Sequence, residues 1–258
     1  MEKESVTRKP GRSPIEAIPE HATAEILRRG RIELTGQFVW GSNSTFLARV
    51  IDAAGEIPAV YKPSRGEAPL WDFPQGSLAA RETAAYLTSR ALGWDLVPPT
   101  VMRQDGPEGP GSLQLFVEAD PERHYFTFTP EEKQRLRPVA VFDLLINNAD
   151  RKGGHVLLGK AGQVWLIDHG VCFHFEAKLR TVIWDFIGEP IPDHLLRDVG
   201  SFRDRLRSGS GPGTIRQDLG TLLTNRELTA LERRAQRVLD EPCFPSPGRG
   251  RPYPWPMV

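Results

Sequence analysis

Asp150, Arg151, Lys152 and His155 crowd the segment NNADRKGGHVLL at 147–158, and Asp168 follows at the end of the run VWLIDHG. These polar clusters sit at the ends of apolar stretches. Two acids and a third donor gathered at one edge suit a divalent cation bound together with phosphate. Mg2+ usually takes only one or two protein carboxylates and completes its octahedron with phosphate oxygens and water. Either acid alone is as well explained as the cap of a turn. Their joint occurrence, with His155 between them, favours a site.

The elements that must position these groups can be read from the flanking pattern. HVLLG and QVWLID are strand-like and meet across the turn KAGQ, so a hairpin could bring Asp150, His155 and Asp168 to one edge. Upstream, RIELTGQFVW and STFLARVID flank the turn GSNS, and IPAVYK follows the turn residues AAGE, which predicts an antiparallel meander. SLAARETAAYLTSRALG predicts a helix from an N-cap at Ser77 to a stop at Gly93, with Ala80, Ala84, Leu87 and Ala91 on one face. GSLQLFVEA reads as another strand. TPEE at 129–132 and TNRE at 224–227 are capping boxes. The first, with proline at the opening helical position, precedes the apolar helix VAVFDLLINN. The second opens a helix with a stripe of Leu228, Leu231, Ala235 and Leu239. The fold class expected is therefore α+β: an antiparallel sheet with one helix, then a mainly helical half with one hairpin carrying the polar clusters.

Composition narrows the functional classes. The chain has 258 residues, 39% hydrophobic and 26% charged, which is ordinary for a globular protein. Lys plus Arg equals Asp plus Glu at 33 each, so no overall field recruits nucleic acid or an anionic membrane. Cys172 and Cys243 are too few for a disulfide framework and lack metal-type spacing; Cys172 reads as a core residue. No run of about 18 apolar residues could span a bilayer, and MEKESVTRKPGRSP has no apolar export region. A cytoplasmic location is the expectation. Residues 1–20 and 243–258 read as tails, the first disordered and the second proline-rich. PYPWP in the latter suits either a polyproline docking segment or a strap on its own domain.

INNADRKGGHVLL followed by VWLIDHG resembles the catalytic and metal-binding loops of the phosphatidylinositol 3- and 4-kinase type of kinase fold, and of HipA-type bacterial serine kinases. The chain is similar to an actinobacterial family of such proteins. The resemblance covers roughly residues 32 to 175. It implies a two-lobed fold, with an N-lobe at 21–118 and a C-lobe at 119–242, that binds ATP with Mg2+ or Mn2+. Asp150 and Arg151 match the first catalytic-loop positions, Lys152 stands where that motif has histidine, and His155 where it has asparagine. Asp168 and Gly170 match the metal loop, with His169 in place of phenylalanine. AVYK is similar to the third-strand lysine motif, which implies that Lys62 meets the α- and β-phosphates, with Glu82 as its carboxylate and Glu67 as an alternative. Ser42, Asn43 and Ser44 would lie over the phosphates, and backbone groups at Phe116, Val117 and Glu118 would read adenine.

In this scheme Asp168 holds the metal, Asp150 orients the acceptor hydroxyl, and Lys152 and Arg151 offset charge on the transferred group or fix the loop. A purely bracing arginine is the plainer role for Arg151. An imidazole at 155 suits Mn2+ better than Mg2+ if it ligates, and only the neutral ring can. Otherwise His155 hydrogen-bonds Asp168 or Asp150. His169 and His174 read as packing or substrate-loop residues, and His21, His124 and His194 as surface or turn residues. The function expected is ATP-dependent phosphotransfer. Only Lys178 and Arg180 follow Asp168 closely, whereas a lipid acceptor calls for about 4 to 8 clustered cations, so a protein or soluble small molecule is favoured as acceptor. A nucleotide-binding pseudokinase is the alternative, nucleotidyl transfer a third possibility, and a hydrolase is disfavoured by the lack of an HExxH-type pair.

Overall fold

Alternation of apolar residues along IPAVYK decides the first half of the molecule. In this computed structural model, which describes residues 20–38, 43–159, 162–209, 211–248 and 250–258, Ile57, Ala59 and Tyr61 are fully buried on one side of their strand. The period of two then turns Lys62 to the opposite side. That strand, β3 (Gly55–Pro63), belongs to a five-stranded antiparallel sheet with β1 (Arg31–Phe38), β2 (Thr45–Asp52), β4 (Thr100–Arg103) and β5 (Gly111–Leu115), in the order β1-β2-β3-β5-β4. The meander β1-β2-β3 is the one expected, and β5 sets Ser112 opposite Lys62.

Two elements of this half are additional. Helix α1 (Glu20–Arg29) packs Ile26 and Leu27 into the core formed by Ala48, Val50, Ile57, Ala59 and Tyr61. Arg103 on β4 closes the end of α1, donating to the carbonyls of Leu27 at 2.7 Å and Gly30 at 2.9 Å. The expectation of one helix beside the sheet is thus corrected to two. The strand expected over GSLQLFVEA is also shorter, ending at Leu115.

Helix α2 (Leu78–Leu92) runs to Gly93, whose φ of 74° supplies the left-handed cap expected there. Ser77 does not cap with its side chain: its hydroxyl donates to the Pro74 carbonyl at 2.6 Å, and Glu67 Oε1 instead accepts the Ala79 amide at 3.0 Å. The expected face is corrected too. Ala80, Leu87 and Ala91 are only partly buried, while Ala79, Arg81, Glu82, Thr83 and Tyr86 are buried. The helix lies between β4 and β5 on one side and α5 and α6 on the other, so it has no single apolar stripe.

The second half is the mainly helical one expected. Helix α3 (Pro130–Gln134) opens with the Thr129–Glu132 capping box, and α4 (Arg137–Ile146) buries Val139, Val141, Phe142, Leu145 and Ile146. The hairpin β6 (Val156–Leu158) and β7 (Val164–Leu166) follows. Helices α5 (Asp193–Ser208), α6 (Ile215–Gly220) and α7 (Asn225–Asp240) follow, α7 with the Thr224–Glu227 capping box. Leu228, Leu231 and Ala235 are buried as expected and Leu239 packs at the edge. This larger core also takes Ala84, Ala85 and Tyr86 from α2 and is separate from the core under the sheet, which makes the α+β fold two-lobed.

The stretch from Cys243, expected as a tail, is bound to the fold. Phe244 is buried, Thr181 donates its amide to the Pro252 carbonyl at 3.1 Å, and Gly153 donates its amide to the Met257 carbonyl at 2.7 Å. PYPWP is therefore a strap against the segment that carries Asp150. The 1–20 tail lies outside the described residues except for Glu20. Among the described residues no helix is long and apolar enough to cross a membrane.

Candidate active site

The hairpin register explains how His155 meets Asp168. Val156 pairs with Leu166, so the next residues outward face each other, and the Ile167 amide donates to the His155 carbonyl at 3.1 Å. His155 Nε2 then lies 3.3 Å from Asp168 Oδ2. Asp168 has a φ of 62°, the left-handed conformation that Asp tolerates better than most residues, and this turns it out of the strand direction. Lys62 reaches across from β3. Its ammonium lies 3.1 Å from Asp168 Oδ1 and also contacts Glu82 on α2. Glu67 is engaged with α2, so Glu82 is the carboxylate that the lysine meets.

Asp150 borders this cleft, near enough to Asp168 for the two charges to interact. Lys152 Nζ lies 3.3 Å from its carboxylate, and the Asp150 amide donates to Asn148 Oδ1 at 2.9 Å. Burial pushes the Asp150 carboxyl up to about 6; Lys152 opposes the shift and the nearby negative charge of Asp168 adds to it. Lys62 holds Asp168 well below the usual carboxylate range, against burial and with help from His155. Burial would lower the Lys62 ammonium, yet Asp168 and Glu82 outweigh it and hold it above the ordinary lysine value. His155 is pushed down to about 4 by burial, with Asp168 opposing and Arg151, Lys152 and Lys62 reinforcing. The ring is therefore neutral near pH 7. Its Nδ1 accepts the Lys152 amide at 3.4 Å, which assigns the proton of the neutral ring to Nε2, the nitrogen on the Asp168 side.

Arg151 does not face the cleft. It is fully buried behind the loop, where Nε lies 3.1 Å from both Asp143 oxygens and Nη2 lies 3.0 Å from Oδ1. Nη1 donates to the Ile167 carbonyl at 3.1 Å, and Nη2 meets His169 Nε2 at 2.9 Å. Asp143 also accepts from Asn148 Nδ2 at 3.1 Å and from the Thr181 hydroxyl at 3.3 Å. One buried carboxylate thus ties together α4, the Asp150 loop and the stretch around Thr181. Sequence reasoning passed over Asp143, whose only signal is an acid inside an otherwise apolar helix. His169 and His174 are buried, as packing residues would be.

The turn after β1 is only partly described, and Ser42 lies outside the described residues. Ser44 donates its amide to the Gly66 carbonyl at 3.0 Å, and Asn43 Oδ1 accepts the Ala68 amide at 2.7 Å. The turn thus folds back on the segment leaving β3. The Phe116 amide likewise donates to the Pro58 carbonyl at 3.0 Å, so it extends the sheet rather than facing a base; Val117 and Glu118 follow beyond the strand. A cavity of about 530 Å3 lined by Phe175, Arg226 and Arg233 shares no residue with the cleft.

A two-residue set of Asp168 and His155 fits a cation carried with nucleotide better than an all-protein cage. Among the described residues no cluster of three His, Cys, Asp or Glu side chains could hold a metal ion alone.

No family model matches the chain. It is 42% identical over 272 residues to Protein Rv2133c of Mycobacterium tuberculosis, covering 92% of this chain and 95% of that protein. It is 29% identical over 147 residues to Phosphatidylinositol 4-kinase gamma 4 of Oryza sativa, covering 49% of this chain and 26% of that protein. The chain thus spans about a quarter of the length of that plant kinase. The crystal structure of the golgi casein kinase is similar with a TM-score of 0.48 and 16% identity, covering 90% of this chain and 76% of the other.

Proposed function

The chain belongs to the family of Protein Rv2133c, and we propose that it is an ATP-dependent phosphotransferase working with Mg2+ or Mn2+. The observation that carries this reading is Lys62, drawn between Glu82 and Asp168 in the cleft that Asp150 and Lys152 also border. One ammonium held by an acid on each side, opposite a carboxyl lifted to about 6, is suited to anchoring a polyphosphate beside a proton acceptor. The partial similarity to a protein named as a phosphatidylinositol 4-kinase supports the same chemistry.

Lys62 would leave Asp168 for the α- and β-phosphates while keeping Glu82 as its counter-ion. Asp168, with His155 beside it, would hold the cation, which supplies charge neutralisation between the phosphates when bound. His155 could itself ligate only after its Nε2 loses the proton. Asp150 accepts the proton of the acceptor hydroxyl as that oxygen bonds to the γ-phosphorus and the bond to the β-phosphate oxygen breaks, leaving ADP. Lys152 offsets the charge gathering on the transferred group, and Arg151 fixes the loop from behind. Val117 and Glu118 would meet the adenine, and Asn43 and Ser44 would border the phosphates.

The acceptor favoured is a protein or soluble small molecule. Of the two cations after Asp168, Lys178 is paired with Asp72 at 2.9 Å, which does not suit an anionic lipid surface. Transfer of radiolabelled phosphate from γ-labelled ATP, with Mg2+ and with Mn2+, to acceptor proteins, soluble metabolites and phosphatidylinositol vesicles tests the proposal. Label on a soluble acceptor, lost in Asp168→Ala, is expected. Saturable ATP binding without any transfer would instead favour a nucleotide-binding pseudokinase.

A further inference from the structure

Helix α2 is tied to the helical lobe by two consecutive side chains. Glu82, which holds Lys62, also accepts the His169 amide through Oε2 at 2.9 Å. Arg81, next to it, is fully enclosed. Its Nη1 donates to the Cys172 carbonyl at 2.7 Å and its Nη2 to Glu227 Oε1 at 2.5 Å. Glu227 stands in the first turn of α7, where its other oxygen accepts the Thr224 amide and hydroxyl, each at 2.9 Å. The stretch 169–172 after Asp168 is therefore stapled to α2 at both ends.

Neighbouring residues on a helix project about 100° apart, so two such anchors fix the rotation of α2 as well as its distance. A single anchor would leave the helix free to roll, carrying Glu82 away from Lys62. An apolar pair at 81 and 227 would stabilise the contact at least as well, since desolvating two charges is costly, but it would not dictate one register. We infer that Arg81 and Glu227 are positioning residues that set the roll of α2 and so keep Glu82 against Lys62. The geometric part of this stands by itself; its consequence for nucleotide binding rests on the phosphotransfer reading above.

Zero-length carbodiimide cross-linking separates the two. Lys62 and Glu82 touch, so their amide cross-link, counted by mass spectrometry against the Lys133–Asp185 pair at 3.8 Å, reports the roll of α2 without any nucleotide. In Glu227→Gln and in Arg81→Met the yield should fall about tenfold, within reach of breaking one partner of a buried pair. The double variant should fall no further than either single one. Thr224→Ala, which strips the cap of α7 but leaves the Arg81–Glu227 contact, should lose thermal stability and keep the cross-link. If ATP is turned over, Glu227→Gln should raise KM for ATP more than it lowers kcat, and Thr224→Ala should change neither. An unchanged cross-link in folded Glu227→Gln, or an equal loss in Thr224→Ala, overturns the inference. A cross-link that falls as expected in a protein that binds no ATP sustains the geometry and removes the phosphotransfer reading.

Discussion

Each residue in the cleft has a separable task, and each can be tried singly. Asp168→Ala should abolish metal-dependent transfer, and Lys62→Ala should slow it by about 100-fold, as when one preorganised electrostatic donor is removed; initial rates at saturating ATP measure both. Asp150 must be ionised to accept a proton. Its carboxyl is raised to about 6 in the free protein, so kcat/KM should hold above that pH and fall about tenfold per unit as pH drops through it. An acid limb near 4 instead would return Asp150 to an ordinary exposed carboxylate. His155→Asn should shift the Mn2+ to Mg2+ activity ratio towards Mg2+ if the ring ligates. An unchanged ratio would leave the ring as a neighbour of Asp168 that does not ligate. The meeting of Lys62 with Glu82 and Asp168 was legible, because their order survives along the chain. What spacing could not reveal is which polar groups are already engaged: the Ser44 and Phe116 amides serve the sheet and its border.

At the scale of elements the support lies behind the cleft. The Arg151–Asp143 pair is wholly buried, and Arg151→Met strands the Asp143 carboxylate. Breaking one partner of such a pair should lower unfolding free energy by about 3–5 kcal/mol, measured by denaturant titration. A loss under about 1 kcal/mol would mean that the pair is as weak as an exposed one. Capping boxes at Thr129 and Thr224 were readable because their partners lie three residues away. Asp143 with Arg151, or Arg81 with Glu227, joins residues that no local window contains. The face of α2 was misread for a related reason. A helix packed on both sides shows no stripe, so of the expected face only Ala84 is buried, while the polar Arg81 and Glu82 are enclosed. Strand β4 has four residues, too few for a pattern.

Over the whole molecule, α2 stands between the sheet and the helices of the second half, and the last residues of the chain close over the loop that carries Asp150. Deleting 250–258 removes the carbonyls that receive the Gly153 and Thr181 amides. Loss of the strap should lower kcat more than it lowers melting temperature, because two hydrogen bonds contribute about 1 kcal/mol each while Lys152 sits next to Gly153. A truncated protein with wild-type kcat would make the strap simple packing.

The strap also has a practical side at the bench. Anything fused behind Val258 begins two residues beyond the Met257 carbonyl that grips Gly153, so a purification handle attached there tugs on the loop that carries Asp150. Protein made with the handle at its other end is the better sample for kinetics, and a difference in turnover between the two preparations would measure how firmly that grip matters.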